Sequence, residues 1–542
     1  MSEQQEVDAL VVGAGMGGIF FTHRLSRANL NVQCVEAAGD VGGTWYWNKY
    51  PGAMSDTESY LYRYSWDKDD LQTYPWSQHY VYQADILKYL RHVVSKHDIR
   101  KYMKFNTEMR SATWDEHQNR WIVDCQFRDS LGEDKTCTYR ARYLILCVGL
   151  LSEPVYPDIP GIDSFKGQTV HTARWDESIT VEEKTVGIIG NGSTGTQVMT
   201  AIAPKVGKLV SFQRHPQYSV PSRQGPVPDG YRETINSNYD RIWQNVWASA
   251  TGFGVPEVSR KTMEASPEER QQVFQQAWDQ GNGFRFMFSA FGDMTTDKEA
   301  NEEACRFLRA KIQEIVKSPR KAKALTPWEP YARRPLCNND YYDIFNRSNV
   351  DVIDLRETPI DSIVPEGIRT TDGEVHPLDV LIFATGFDAV EGSVLRVKIQ
   401  GRGGKSMQEH WKNGPTAYAG VACAGFPNMF VVPGAQGSFA NYPPKVEIEG
   451  GFAMECILHS ERMMGAHVIE VSSEAERQWD CLCHKLTEGS LFKSTTSWLF
   501  GANVAHVDGR KTTTKFYFGG LAEYRKLTHA ELVGGFPSFQ VV

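Results

Sequence analysis

Ala9-Leu10-Val11-Val12-Gly13-Ala14-Gly15-Met16-Gly17-Gly18 runs from an apolar strand into a GxGxxG turn and on into a helix-like segment. Glycines at those places allow a tight turn, a close backbone approach to a pyrophosphate, and close packing of the next helix on the strand. The same pattern returns as Val186-Gly187-Ile188-Ile189-Gly190-Asn191-Gly192-Ser193-Thr194-Gly195, its first turn glycine 177 residues after Gly13. Each copy leads through a helical stretch to a further strand, Val32-Gln33-Cys34-Val35-Glu36 and Leu209-Val210-Ser211-Phe212-Gln213-Arg214. One such motif is a weak signal. Two, each behind an apolar strand and each with a charged residue near the expected offset of about 20 residues, identify two dinucleotide sites.

The strand ends separate the two sites by chemistry. Glu36 stands 18 residues after Gly18, where a carboxylate accepts hydrogen bonds from both ribose hydroxyls and repels a 2′-phosphate. A charge pair at 4 Å is worth about 4 kcal/mol at an effective dielectric of 20, so the first site favours an unphosphorylated ribose, as in FAD or NAD. The second unit has Gln213-Arg214-His215 there, with Arg214 lying 19 residues after Gly195. No carboxylate is present, and a guanidinium grips a phosphate bidentately, so Arg214 and His215 point to NADPH. The alternatives are a solvated strand-end Glu and an exposed Arg. An FAD-type site beside an NADPH-type site means that a nicotinamide reduces a flavin, which passes electrons to a disulfide, an external acceptor or oxygen.

Composition limits the remaining possibilities. The chain has 542 residues, 41% apolar and 23% charged, which suits a globular protein with several domains. Lys plus Arg number 58 against 66 Asp plus Glu, a formal charge of −8 that argues against nucleic acid or an anionic membrane as partner. No apolar run reaches the roughly 20 residues of a spanning helix, and no basic-then-apolar leader opens the sequence. The ten cysteines are scattered, and Cys481-Leu482-Cys483 lacks the spacing of a redox or zinc pair. No metal site, a cytoplasmic location and a monomer are the expectations.

The fold class expected is α/β, with two Rossmann-like dinucleotide-binding domains (FAD and NADP) and a helical insertion. The boundaries drawn are 1–150 with 385–542 for FAD, 151–225 with 326–384 for NADP, and 226–325 for the insertion. In that last stretch Ser266-Pro267-Glu268-Glu269 has the look of a capped helix start. Val380-Leu381-Ile382-Phe383-Ala384-Thr385-Gly386 should be a strand leading back towards the first domain.

Two further segments bear a resemblance. Gly42-Gly43-Thr44-Trp45-Tyr46-Trp47-Asn48-Lys49-Tyr50-Pro51-Gly52-Ala53-Met54-Ser55-Asp56 and Phe165-Lys166-Gly167-Gln168-Thr169-Val170-His171-Thr172-Ala173-Arg174-Trp175-Asp176 resemble the two fingerprints of the type I Baeyer–Villiger monooxygenases. The second matches at Phe165, Gly167, His171, Trp175 and Asp176. The likeness continues to Ser497-Trp498-Leu499-Phe500-Gly501-Ala502-Asn503-Val504. It implies FAD, NADPH and O₂ as reactants, a C4a-peroxyflavin that attacks a ketone carbonyl, and an ester or lactone as product, with sulfoxidation as a side activity.

Such chemistry needs a fixed cation beside the flavin. In Arg333-Arg334-Pro335-Leu336 the resemblance puts Arg334 on the catalytic arginine and Asp56 as its partner. It puts Arg333 where the family usually has a lysine contacting the 2′-phosphate, Thr44, Trp45, Tyr62 and Gln83 at the flavin, and Trp498 over NADP. His171 reads as a hinge residue rather than an acid or base. Ser55, Thr57, Leu150, Leu151 and 438–442 are expected to line the pocket. Three rivals are a flavin disulfide reductase, which needs a cysteine pair beside the flavin, an N- or S-hydroxylating flavin monooxygenase, and a silent NADPH sensor.

Overall fold

The computed structural model describes residues 3–129, 132–463, 468–503 and 512–542. Two sheets organise it. The first has Glu3–Val12 at its centre, pairing in parallel with Val32–Val35 on one side and Asp134–Leu146 on the other. Met103–Lys104 extends it beyond Val32–Val35. On the far side Arg120–Arg128 and Thr107–Asp115 add antiparallel, then Lys398–Gln400 in parallel, while Met429–Val431 pairs with the end of Asp134–Leu146. The second sheet is parallel throughout, in the order Val350–Asp354, Lys208–Gln213, Thr185–Ile189, Val380–Phe383, Gln168–His171. Its central strands are buried beyond their first residues because helices or loops cover both faces. The chain is therefore α/β, with the repeated unit of the sequence at the heart of each sheet.

The two turns have the same construction. Gly13 has φ +100° and Gly190 φ +103°, and a Cβ on either would come 2.4 Å from the carbonyl oxygen of Cys147 or Ala384. A Cβ on Gly18 would lie 1.7 Å from the Gly13 oxygen, and one on Gly195 2.3 Å from the Gly190 oxygen. The third glycine of each motif thus presses its helix, Met16–Arg27 or Ser193–Ile202, against its own strand.

Between 231 and 325 the chain forms six α-helices and no strand. Pro267–Gln280 starts as its sequence suggests: Ser266 Oγ accepts from the Glu269 amide, and the Glu269 carboxylate accepts from the Ser266 amide. Phe274, Phe286 and Phe307 from these helices join the core behind the first sheet, whereas Ile312, Val316 and Ala322 join the core of the second. The stretch bridges both. No helix among the described residues is long and apolar enough to cross a membrane.

Candidate active site

A cavity of about 1170 Å³ opens between the sheets and is lined by both glycine turns. The helices Met16–Arg27 and Ser193–Ile202 begin at Gly15 and Gly192 with no side-chain cap, so their first N–H groups are left for an anion. Gly15 and Gly43 abut, with a Cβ on Gly43 only 2.8 Å from the Gly15 Cα; a Cβ on Gly192 would meet nothing within 4 Å. Both turns offer bare backbone to the cavity, which fits two pyrophosphates.

At the first turn Glu36 is 6% exposed. Its carboxylate accepts from the Ala14 amide at 2.6 Å and the Ala38 amide at 2.8 Å. Burial nevertheless raises its pKa above the usual carboxylate value. At the second turn Gln213 takes the equivalent place and is tied to Ser211, Tyr341 and Asn191. Arg214 is exposed, lines the cavity and forms no ion pair among the described residues. Arg333 behaves differently, bonding the Glu329 carboxylate at 2.5 Å, which in turn holds His215 Nδ1 at 3.2 Å. Burial pushes the Glu329 carboxyl up, but His215 and Arg333 outweigh it and hold the group at about 2.

Deeper in the cavity Arg334 Nη1 meets Asp56 Oδ2 at 2.5 Å, and the guanidinium carbon lies 5.2 Å from the Phe284 ring centre. Burial lowers the guanidinium pKa and Asp56 raises it; the net direction is up, so the charge is permanent. Asp56 sits on the strand Met54–Glu58, whose partner strand supplies Tyr80, and Asn282 Nδ2 bridges the Asp56 carbonyl and the Tyr80 hydroxyl. Gly283 allows the Arg334 segment to approach: a Cβ there would stand 2.5 Å from the Leu336 oxygen.

The chain is similar to known proteins over nearly its whole length. A flavin-binding monooxygenase-like family model matches residues 7–224. A Baeyer–Villiger monooxygenase of Pseudooceanicola batsensis is 43% identical over 98% of this chain and 96% of its own. The crystal structure of cyclohexanone monooxygenase from Rhodococcus sp. Phi1 bound to NADP+ superposes with a TM-score of 0.95 at 45% identity, covering 99% of each chain. The chain belongs to the Baeyer–Villiger monooxygenases. Phenazine N-monooxygenase PhzNO1 of Lysobacter antibioticus is also 44% identical, over 97% of this chain and 95% of its own. FAD and NADPH are the cofactors of this Baeyer–Villiger enzyme, and a ketone is its substrate.

The first fingerprint of the monooxygenase borders the cavity. Gly43, Thr44, Trp45 and Tyr62 line it, with Trp45 Nε1 donating to the Tyr62 hydroxyl at 3.1 Å. Gln83, expected at the flavin, opens the helix behind that turn and donates to the Trp45 carbonyl at 2.5 Å. Gly18 and Gly195 are packing glycines set back from the wall. Ser193, Thr194 and Trp498 do line it, as do Ser55, Thr57, Leu150, Leu151 and 438–442. Val504, the last residue of the resembling C-terminal segment, lies outside the described residues.

The second fingerprint lies behind the cavity. A Cβ on Gly167 would come 2.4 Å from the Asp379 oxygen. Phe165 packs on one apolar cluster and Trp175 on another, and Asp176 caps the Ser178 amide. His171, 1% exposed, accepts from the Ala173 amide at Nδ1 and meets the Thr385 hydroxyl at Nε2. Thr385 gives its own proton to the Val155 carbonyl, so the imidazole is neutral with its hydrogen on Nε2. Arg174 of this fingerprint lines the cavity, its guanidinium lying 4.7 Å from the Trp47 ring centre, and His171 reaches the wall through Thr385.

A pH effect follows. Burial holds the His171 pKa at about 4 against 6.5 in an open chain. Between those values the unfolded chain binds a proton that the folded protein refuses, so stability present above pH 6.5 is lost as the pH falls, by about 3 kcal/mol in all. His23 is held near 4 as well. His171→Asn keeps an acceptor for the Ala173 amide and should shrink the difference in melting temperature between pH 7.5 and pH 5. An unchanged difference would count against the burial argument.

Sequence reasoning missed the aromatic wall. Phe253 and Phe284, stacked with centroids 3.7 Å apart, reach the cavity from the helical stretch, and Phe516 from the C-terminal part. Gly252 and Gly254 around Phe253 were the available signal. It also missed Lys445, buried in the wall and paired with Glu449 at 2.5 Å, which ties down the Ser438 loop through the Ser438 carbonyl and amide.

Proposed function

We propose that this enzyme inserts oxygen beside the carbonyl of a compact apolar ketone, a ring ketone above all, with Arg334 receiving the carbonyl oxygen and Asp56 aiming the guanidinium. The observation that supports this most is the Arg334–Asp56 pair set inside the cavity that both nucleotide turns share, against the Phe284 ring. Bound FAD, once reduced by NADPH, supplies the activated oxygen. The side chains have other tasks. Arg334 offers a fixed positive charge where negative charge collects on the substrate oxygen, and such preorganised donors give the largest single share of rate enhancement. Asp56 keeps the guanidinium from turning to solvent. Phe253, Phe284, Phe439 and Phe516 exclude water and fit a hydrocarbon ring.

The nucleotide contacts divide in the same way. Glu36 takes the FAD ribose, Gly13 and Gly15 its pyrophosphate, and Gly43, Thr44, Trp45 and Tyr62 the flavin end. Gly190, Gly192, Ser193 and Thr194 take the NADPH pyrophosphate. Arg214 is the main contact for the 2′-phosphate, with Arg333 and His215 organised around Glu329 behind it, and Trp498 closes over the nicotinamide side. The domain division of 1–150 with 385–542, 151–225 with 326–384, and 226–325 between them accompanies this assignment.

A second reading, oxygen transfer to a ring nitrogen, is favoured by the phenazine N-monooxygenase relative and by the flat Phe253–Phe284 stack, which would also accept a planar heteroaromatic. Sulfoxidation is the milder side reaction expected from the same site. One experiment separates these: the yellow protein with NADPH and O₂ is given cyclic ketones, linear ketones, sulfides and phenazines, and products are scored by gain of one oxygen. Lactones should dominate. A panel in which only N-oxides form would overturn the ketone assignment.

A further inference from the structure

The antiparallel flank of the first sheet holds a feature that oxygen insertion does not use. Cys125 on Arg120–Arg128 and Cys137 on Asp134–Leu146 stand directly opposite one another in register. They are 1% and 0% exposed, and their thiols are hydrogen-bonded to each other. Directly opposed antiparallel residues have Cα atoms about 4.5–5.5 Å apart, inside the roughly 4.4–6.8 Å that a disulfide spans. Lys104 Nζ lies 3.8 Å from Cys137 Sγ, and also 4.0 Å from the Phe127 ring centre. The hydrogen bond from Cys125 and the Lys104 ammonium both favour the thiolate at Cys137, and Cys125 keeps its proton more firmly. The arrangement therefore has a nucleophilic sulfur, a resolving sulfur in contact with it, and a cation that stabilises the first.

We propose that Cys125 and Cys137 are a peroxide-oxidisable dithiol that closes to a cross-strand disulfide. The oxidant is hydrogen peroxide, which a reduced flavin releases when it meets dioxygen without a ketone, so it arises in the same molecule. The Cys137 thiolate attacks one peroxide oxygen; the O–O bond breaks, hydroxide leaves and Cys137 becomes a sulfenic acid. The Cys125 sulfur then attacks that sulfur, the S–S bond forms, and the sulfenic oxygen leaves as water with the Cys125 proton. Two thiols lose two electrons and the peroxide is reduced to water. Its placement connects the pair to the cofactor. Cys125 is opposite Met109, which lines the cavity, and the Lys104 carbonyl accepts from the Glu36 amide at 2.9 Å.

The test uses the holoenzyme. Hydrogen peroxide is added in small excess, quenched with catalase, and the protein is denatured, alkylated and mapped by mass spectrometry. The expected result is the joint loss of two thiols and one linked peptide carrying Cys125 and Cys137, lighter by two hydrogens. Turnover with NADPH and O₂ but no ketone should give the same product, and catalase present throughout should prevent it. Cys125→Ala should stop the reaction at a sulfenic acid on Cys137, trapped by dimedone. Lys104→Gln alters a half-buried side chain outside the core; assayed at pH 5, below the Cys137 value of about 6, it should slow the oxidation roughly tenfold, the change in thiolate fraction for one unit of pKa. The proposal is overturned if Cys125 and Cys137 remain fully alkylatable after the exposed Cys481 has been oxidised, or if Lys104→Gln reacts at the parent rate.

Discussion

Replacing Arg334 by alanine leaves NADPH able to bleach the flavin but lowers ester formation about 10²–10³-fold, the usual effect of removing one donor aimed at a developing negative charge. The guanidinium is held at 2.5 Å by Asp56 and lines the cavity, so its charge is fixed in place before substrate arrives. Lys445 also lines the cavity, but Glu449 and the Ser438 carbonyl occupy its ammonium. Stopped-flow absorbance of the flavin reads the reductive half, and product analysis reads the other. Asp56→Asn should show the same split in weaker form, since the amide still accepts a hydrogen bond but no longer balances the charge. Lactone yield unchanged in Arg334→Ala would remove Arg334 from the chemistry.

The second large effect concerns coenzyme choice. Arg214→Ala should lower kcat/KM for NADPH about 10- to 100-fold, equivalent to losing a charge-assisted contact of about 1.5–3 kcal/mol, while NADH use changes little. The argument rests on division of labour. Arg333, the neighbouring cation, is committed to Glu329, whereas Arg214 is exposed and unpaired among the described residues. If both coenzymes suffer equally, Arg214 supports the fold of the turn and not the phosphate.

The nucleotide framework was legible because it depends on local chemistry. Gly13 and Gly190 adopt left-handed backbone against a carbonyl, and Gly18 and Gly195 leave no room for a methyl group; each demand is met by one residue type and shows in the string. Glu36 against Arg214 is likewise a difference of charge sign at a fixed offset. Arg334 was legible only through resemblance, since an Arg-Arg pair by itself reads as a solvated face. Of the aromatic wall only Phe439, within 438–442, was legible. Phe253, in a loop, and Phe284, on the helix Gly283–Ser289, meet only in the folded chain, and nothing in their spacing announces a stack. Gln83 was placed by resemblance alone, and its bond to the Trp45 carbonyl is set by tertiary packing that no local pattern announces.

The helical stretch that bridges the two cores also furnishes Phe253 and Phe284, while neither glycine turn draws a residue from it. Part of the cavity's aromatic wall is thereby written on a length of chain that carries neither nucleotide turn. Grafting residues 251–290 from a relative should retune which molecules are accepted while the redox engine keeps running, which makes that length the natural target for a combinatorial library.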